Sequence, residues 1–373
     1  MSNLNRYILT LSWGVALIIP SLLYYQSTFY FNHTPWDGTF QTLFPLLKMD
    51  NGFYPGRDFF YFHGNGIPYL IYPLYHFFNS LCNLSTIVSA LTSTFIINLM
   101  FLVAPFYLLI RKVFDIQVSS ALTIFFLALS NYIPYTGGYL SPLFLGAPMG
   151  IRFSPHLIMA LVVFNFLSGV ASFRTYLYFG FIASTTVLLA AEQGFYAVGG
   201  ALIVIFIYTM LVGQIKNSFV KTSICLMSFI FLFVLSNYIA FGGLATFSAI
   251  KSISNDQSWV FGVFPNKFYD SLYEVFSFKI IDGIPSQITT MFSFVLSIFV
   301  FLLLFLKKID AKYHLFLASV SVLFFGSLLS WASNIGYIGA HQAALNIRYI
   351  YIIIGFLAVL VCTDWKNKNA ITK

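Results

Sequence analysis

Residues 175–213 read TYLYFGFIASTTVLLAAEQGFYAVGGALIVIFIYTMLVG, and Glu192 is their single charged side chain. A helix on the surface of a soluble domain alternates apolar and polar faces with a period near 3.6 residues, and this run has no polar face. Its polar break, Glu192-Gln193-Gly194, leaves an apolar stretch on each side, so the segment predicts a hairpin of two membrane spans. Outward from it, similar runs predict about ten spans: 7–27, 84–110, 116–134, 155–173, 175–191, 195–213, 222–241, 286–306, 313–331 and 347–363. Composition agrees, since 59% of the 373 residues are hydrophobic and 8% are charged, against about 25% charged in an ordinary soluble domain. A soluble enzyme and a disordered chain are thereby excluded. The expected fold is an all-α polytopic membrane protein, one membrane-embedded domain over 1–373 with no large soluble domain.

The first run lacks a small-residue cleavage site and ends in Tyr24, Tyr25 and Gln26, so it reads as a retained span. Segment 67–80 is apolar, too short to cross and contains two prolines, which predicts an interfacial or re-entrant helix in the first outer loop. Cys82, Cys225 and Cys362 are scattered, indicating neither a disulfide framework nor a cysteine metal site.

Ten spans put both termini on one side, and the charges sort accordingly. Twelve of the 19 basic residues fall on that side: Arg6, Arg111, Lys112, Arg174, Lys216, Lys221, Lys307, Lys308, Lys312, Lys366, Lys368 and Lys373. Short basic loops mark the cytoplasm, so both termini are expected there, with a bacterial inner (plasma) membrane as the expected setting. Eight of the 11 acids fall on the outer side: Asp37, Asp50, Asp58, Glu192, Asp256, Asp270, Glu274 and Asp282. The net charge of +8 is thus an orientation signal rather than a sign of nucleic-acid binding. Three outer segments stand out, at 28–66, 135–154 and 242–285. In the last, Trp259, Phe261 and Tyr269 read as an aromatic belt at the interface, with a sugar-stacking lip as the alternative. No Walker loop, dinucleotide-binding glycine pattern or G-x-S-x-G occurs.

Asp37 follows the first span, between Trp36 and Gly38. A carboxylate at headgroup level can accept a proton from a hydroxyl or hold a divalent cation, and it can equally cap a helix. Further on, residues 51–78 read NGFYPGRDFFYFHGNGIPYLIYPLYHFF. An acid after span one, followed by Gly52, Pro55, Arg57, Asp58 and Phe59 and then Gly66 and Pro68, resembles the first loop of GT-C membrane glycosyltransferases over about 45 residues. Where many members of that superfamily pair two acids, this chain has Asp37-Gly38.

The resemblance implies transfer of a sugar from a polyprenyl-phosphate-linked donor to a glycan or glycolipid acceptor at the outer face of the lipid bilayer. Asp37 would be the general base, and inversion at the anomeric carbon would follow. It implies no cofactor beyond a divalent metal, for which Asp37 and Glu192 are the candidate ligands. Arginines suit the donor phosphate, because a guanidinium forks onto its oxygens. Arg57, Arg152 and Arg348 are the candidates. Each has a bland alternative: a turn salt bridge with Asp58 for Arg57, snorkelling to headgroups for the other two. Asp58, His63, Glu192 and His341 are candidate acceptor or supporting polar groups. Glu192 can also simply pair with Arg152 or Arg348, and His76 reads as a hydrogen-bonded core histidine. Two other functions stay open: a transporter or flippase of lipid-linked saccharides, and an outer-face polysaccharide polymerase or ligase.

Overall fold

The structure, a computed structural model, describes residues 39–61, 63–132, 149–248, 298–305 and 311–333. Its helices are α1 (Thr39–Asp50), α2 (Gly66–His76, continued by a π turn over Phe77–Leu81), α3 (Thr86–Arg111), α4 (Ile116–Tyr132), α5 (Met149–Ser168), α6 (Phe173–Leu189), α7 (Ala191–Val212), α8 (Ile215–Phe241) and α9 (Ala311–Ser333). The described residues contain no strand. Among the described residues five stretches are long and apolar enough to cross a membrane: Thr86–Arg111, Gly150–Ser168, Ala191–Val212, Ile215–Phe241 and Ala311–Leu329. The 17-residue helices α4 and α6 occupy two more of the expected positions. The expected spans at 7–27 and 347–363, and most of 286–306, lie outside the described residues.

Several boundaries differ from the sequence reading. The run expected at 155–173 is helix Met149–Ser168; the next helix restarts after Ser172, whose hydroxyl accepts the Thr175 N–H at 3.4 Å. Helix α8 begins at Ile215 rather than at 222, because Lys216, Asn217, Ser218 and Lys221 continue a helix that an apolar window rejects. Helix α7 begins at Ala191 rather than at 195, which reduces the α6–α7 turn to Ala190 and draws Glu192 into the first helical turn. His76 is exposed, bonded to the Ser80 hydroxyl at 3.3 Å. Ile67, Ile71 and Tyr75 form the buried face of α2 at fourfold spacing, so His76 is turned away from the core.

Helix α7 is central and packs on α5, α8 and α9. It meets α9 at Gly200, where an added Cβ would lie 2.6 Å from the Gly326 nitrogen. Small residues let helix backbones touch where lipid supplies no hydrophobic push between helices. Helices α6 and α8 are linked by the Ser184 hydroxyl, which donates to the Leu232 carbonyl at 3.2 Å. Along α8, Ile224, Met227, Phe231 and Leu235 are exposed at helical spacing. A stripe of that kind belongs against lipid.

Turns of one to four residues join α3 to α4, α5 to α6, and α6 through α8, so neighbouring helices run antiparallel. The Lys112 ammonium lies 5.8 Å from the ring centre of Phe164, near the C-terminal end of α5, so Arg111, Lys112, Arg174, Lys216, Lys221 and Lys312 share one end of the bundle. The Lys312 ammonium donates to the Val113 carbonyl there at 2.9 Å. At the opposite end α5 starts part-way down α3: the Ile151 N–H donates to the Asn98 side-chain oxygen at 3.2 Å, and Asn98 is midway along α3. The N-terminal half of α3 thus projects past α5. Against it sits a second core of Leu46, Tyr61, Ile67, Ile71, Tyr75, Ala90 and Ile151. The first-loop segment fills the notch.

Candidate functional site

The segment after α1 folds by local rules. Gly52 (φ +81) and Gly56 (φ +79) adopt the left-handed conformation that favours glycine. Asp58 closes the turn by accepting the Tyr54 N–H at 2.8 Å, and its carboxylate pairs with Arg57 at 3.0 Å. The Arg57 guanidinium also lies 4.9 Å from the Tyr54 ring centre. This pair faces solvent, the arginine side chain being 62% exposed. Hydrogen bonding to the guanidinium, with the Tyr54 N–H next, holds the Asp58 carboxyl below its ordinary range.

A second turn follows. The Asn65 side-chain oxygen accepts the Tyr61 N–H at 2.9 Å, and α2 begins at the next residue. Gly64 has φ +138, and a Cβ there would sit 2.2 Å from the Leu189 carbonyl oxygen, so no other residue fits. That contact seats the turn on the α6–α7 junction, where the Ala191 N–H donates to the His63 carbonyl at 3.1 Å. His63 is buried, and its Nε2 lies 3.0 Å from the Gln41 side-chain oxygen. The Tyr61 and His63 rings meet edge to face at 5.8 Å.

Under this turn Arg152, in the first turn of α5, meets Glu192, in the first turn of α7, at 3.2 Å. The arginine side chain is 5% exposed and the carboxylate 29%. Arg152, a candidate for the donor phosphate with snorkelling as its bland alternative, is buried, because α5 starts part-way along α3 and is roofed by the first loop. Burial is the larger cause, and the Arg152 charge the smaller, that lowers the His63 pKa well below the usual histidine value. The ring is neutral near pH 7. Burial raises the Tyr61 phenol, with Arg152 opposing it. One turn further along α5, His156 is fully buried. It lies against Gly326, where an added Cβ would be 2.6 Å from its ring.

The structure therefore brings Arg152, Glu192 and His63 together and sets Arg57 and Asp58 apart as an exposed pair. Asp37, His341 and Arg348 lie outside the described residues, as do Trp259, Phe261 and Tyr269. No group of three His, Cys, Asp or Glu side chains among the described residues could hold a metal ion. Of the two carboxylates expected as metal ligands, Glu192 is engaged with Arg152.

Other polar groups complete the neighbourhood without having been singled out from sequence. Gln41 orients His63, Asn98 anchors α5, and Asp50 accepts hydroxyls from Tyr72 at 3.1 Å and Tyr75 at 2.6 Å. A buried asparagine inside an apolar run was a usable signal for Asn98. The spacing of Tyr69, Tyr72 and Tyr75 along one helix was another. Nothing local marked Gln41. Against known proteins, no family model, curated protein or solved structure matches this chain.

Proposed function

We propose that the chain is a GT-C-type glycosyltransferase that moves a sugar from a polyprenyl-phosphate-linked donor to a glycan or glycolipid acceptor at the outer face of a bacterial inner membrane. In this reading ten helices cross the bilayer and both termini are cytoplasmic. One observation carries it. The arginines, carboxylates and histidine of the described outer segments gather at the end of the bundle opposite the basic turns, around a first loop built on the GT-C-like residues Gly52 to Pro68.

Asp37 removes the proton of the acceptor hydroxyl as its oxygen bonds to the anomeric carbon. The bond from that carbon to the phosphate oxygen breaks, and its electron pair leaves with polyprenyl phosphate. Such a step inverts the anomeric centre. The leaving phosphate gathers charge and needs a cation opposite the base. Arg57 presents an accessible guanidinium for this role, and Arg348 is the second candidate. Arg152, buried and paired, instead holds the floor under the turn that carries His63.

The test is transfer from a panel of polyprenyl-phosphate hexoses by membranes containing the full chain. Asp37→Asn should abolish release of polyprenyl phosphate while insertion and donor binding persist; full transfer by that variant removes Asp37 as the base. A flippase would instead move the donor across vesicles with its sugar still attached.

A further inference from the structure

The basic end of the bundle holds a cleft of about 260 Å³ between the α5–α6 turn and the α7–α8 turn. Phe166 and Gly169 line it on one side, and Tyr208, Gly213, Asn217 and Lys221 on the other. Three of these carry hydrogen-bond donors of different kinds: an ammonium, an amide and a phenol. Lys221 is the charged residue of the lining, and further basic residues share this end of the bundle, Arg174 and Lys216 in the first turns of α6 and α8 and Lys112 just beyond α3. Asp115, the described acid at this end, is engaged in capping α4, accepting the Val118 N–H at 2.9 Å. The cleft thus suits an anion.

Its rim says which anion. Val212, in the lining, is 67% exposed, and Val170, between the lining residues Gly169 and Ala171, is 88% exposed, with Phe173 and Ile215 exposed two residues beyond Ala171 and Gly213. A site for a soluble anion has no use for an apolar border. A phospholipid needs both parts, donors for its phosphate and an apolar rim along which its acyl chains run. Basic pockets between helices on the cytoplasmic side of membrane proteins recognise anionic headgroups in this way.

We propose that this cleft binds the phosphate of an anionic membrane phospholipid, with Lys221 as its cation and Asn217 and Tyr208 as further donors. The site is on the opposite end from the proposed transfer chemistry and does not depend on it.

Native mass spectrometry of the full chain in detergent tests the proposal, with phosphatidylglycerol and phosphatidylcholine titrated separately. Phosphatidylglycerol should be retained about fivefold more tightly, the worth of roughly one cation at a membrane surface. Lys221→Gln should bring it down to the phosphatidylcholine level. Lys221→Arg should keep it, as should Lys48→Gln at the other end. Millimolar inorganic phosphate should leave the adduct in place. Equal retention of the two lipids overturns the proposal, and so does an undiminished phosphatidylglycerol adduct on Lys221→Gln. Displacement by inorganic phosphate overturns it in favour of a soluble-phosphate site. If Lys221→Gln does not fold, Asn217→Ala, a change at an exposed residue, decides by the same comparison.

Discussion

Among the described residues, two arginine–carboxylate pairs occupy the end of the bundle opposite the basic turns. Arg57 and Asp58 meet at 3.0 Å as chain neighbours, and Arg152 and Glu192 meet at 3.2 Å across 40 residues. Their carboxylates are equally exposed, at 29%, but the arginine side chains differ, 62% against 5%. Distance therefore says little about what each pair does. A solvated guanidinium keeps its water and is screened by salt, so its partner adds little to stability. A buried one has lost its water, and its carboxylate must offset that loss. The first pair is free to meet a ligand, whereas the second is committed to holding two helix starts under the first loop.

The largest effect should come from separating the buried pair. Glu192→Ala should lower stability by about 3 kcal/mol, because Arg152 would stay buried without its carboxylate. Thermal unfolding in detergent would show it, and the double substitution Arg152→Met, Glu192→Gln should recover most of the loss. A Glu192→Ala protein that melts like the parent would erase the contrast between the pairs.

Next in size is a pH effect at the same place. The His63 pKa is depressed in the fold, so the unfolded chain takes up the proton first. Its contribution is present in full above the unfolded value near 6.5 and is lost as pH falls below it, at up to about 1.4 kcal/mol per pH unit. Melting points at pH 7.5, 6.5 and 5.5 should show this slope, and His63→Gln should flatten it. An identical slope in that variant would assign the titration elsewhere.

Much of the scaffold was legible because single helices leave local marks. The runs at 84–110 and 313–331 became Thr86–Arg111 and Ala311–Ser333, the first begun by Ser85, whose hydroxyl accepts the Val88 N–H. The site was legible only as separate residues. Arg152 and Glu192 were both candidates, and their pairing was one alternative among several, since no periodicity connects positions so far apart. Depth was hidden as well. That α5 starts beside Asn98, which buries Arg152, is a fact of packing between helices rather than of either sequence run. Local turn chemistry fared better: the turn salt bridge between Arg57 and Asp58, one of the two readings of that pair, is present.

A middle case is Asp50, an exposed carboxylate held by Tyr72 and Tyr75 across 22 and 25 residues. Tyr75 is buried and its hydroxyl bond is short, at 2.6 Å, so Tyr75→Phe should cost about 1 kcal/mol, between the two arginine pairs. Tyr72→Phe, on a longer and more exposed bond, should cost less. The reverse order in melting experiments would mean that burial is not what grades these contacts.

The smallest effect on stability belongs to Arg57. Its guanidinium is solvated, and the turn keeps the Asp58 carboxylate on the Tyr54 N–H without it, so Arg57→Ala should leave the melting point unchanged within error. Asp58→Ala removes both contacts and should lower it measurably. That asymmetry isolates function from fold. If Arg57 meets the donor phosphate, Arg57→Ala raises the apparent KM for the polyprenyl-phosphate sugar several-fold in a protein that melts normally, and Arg57→Lys recovers only part of it, because an ammonium cannot fork onto two oxygens. An unchanged KM at an unchanged melting point would return Arg57 to a solvated turn residue and leave the phosphate to Arg348.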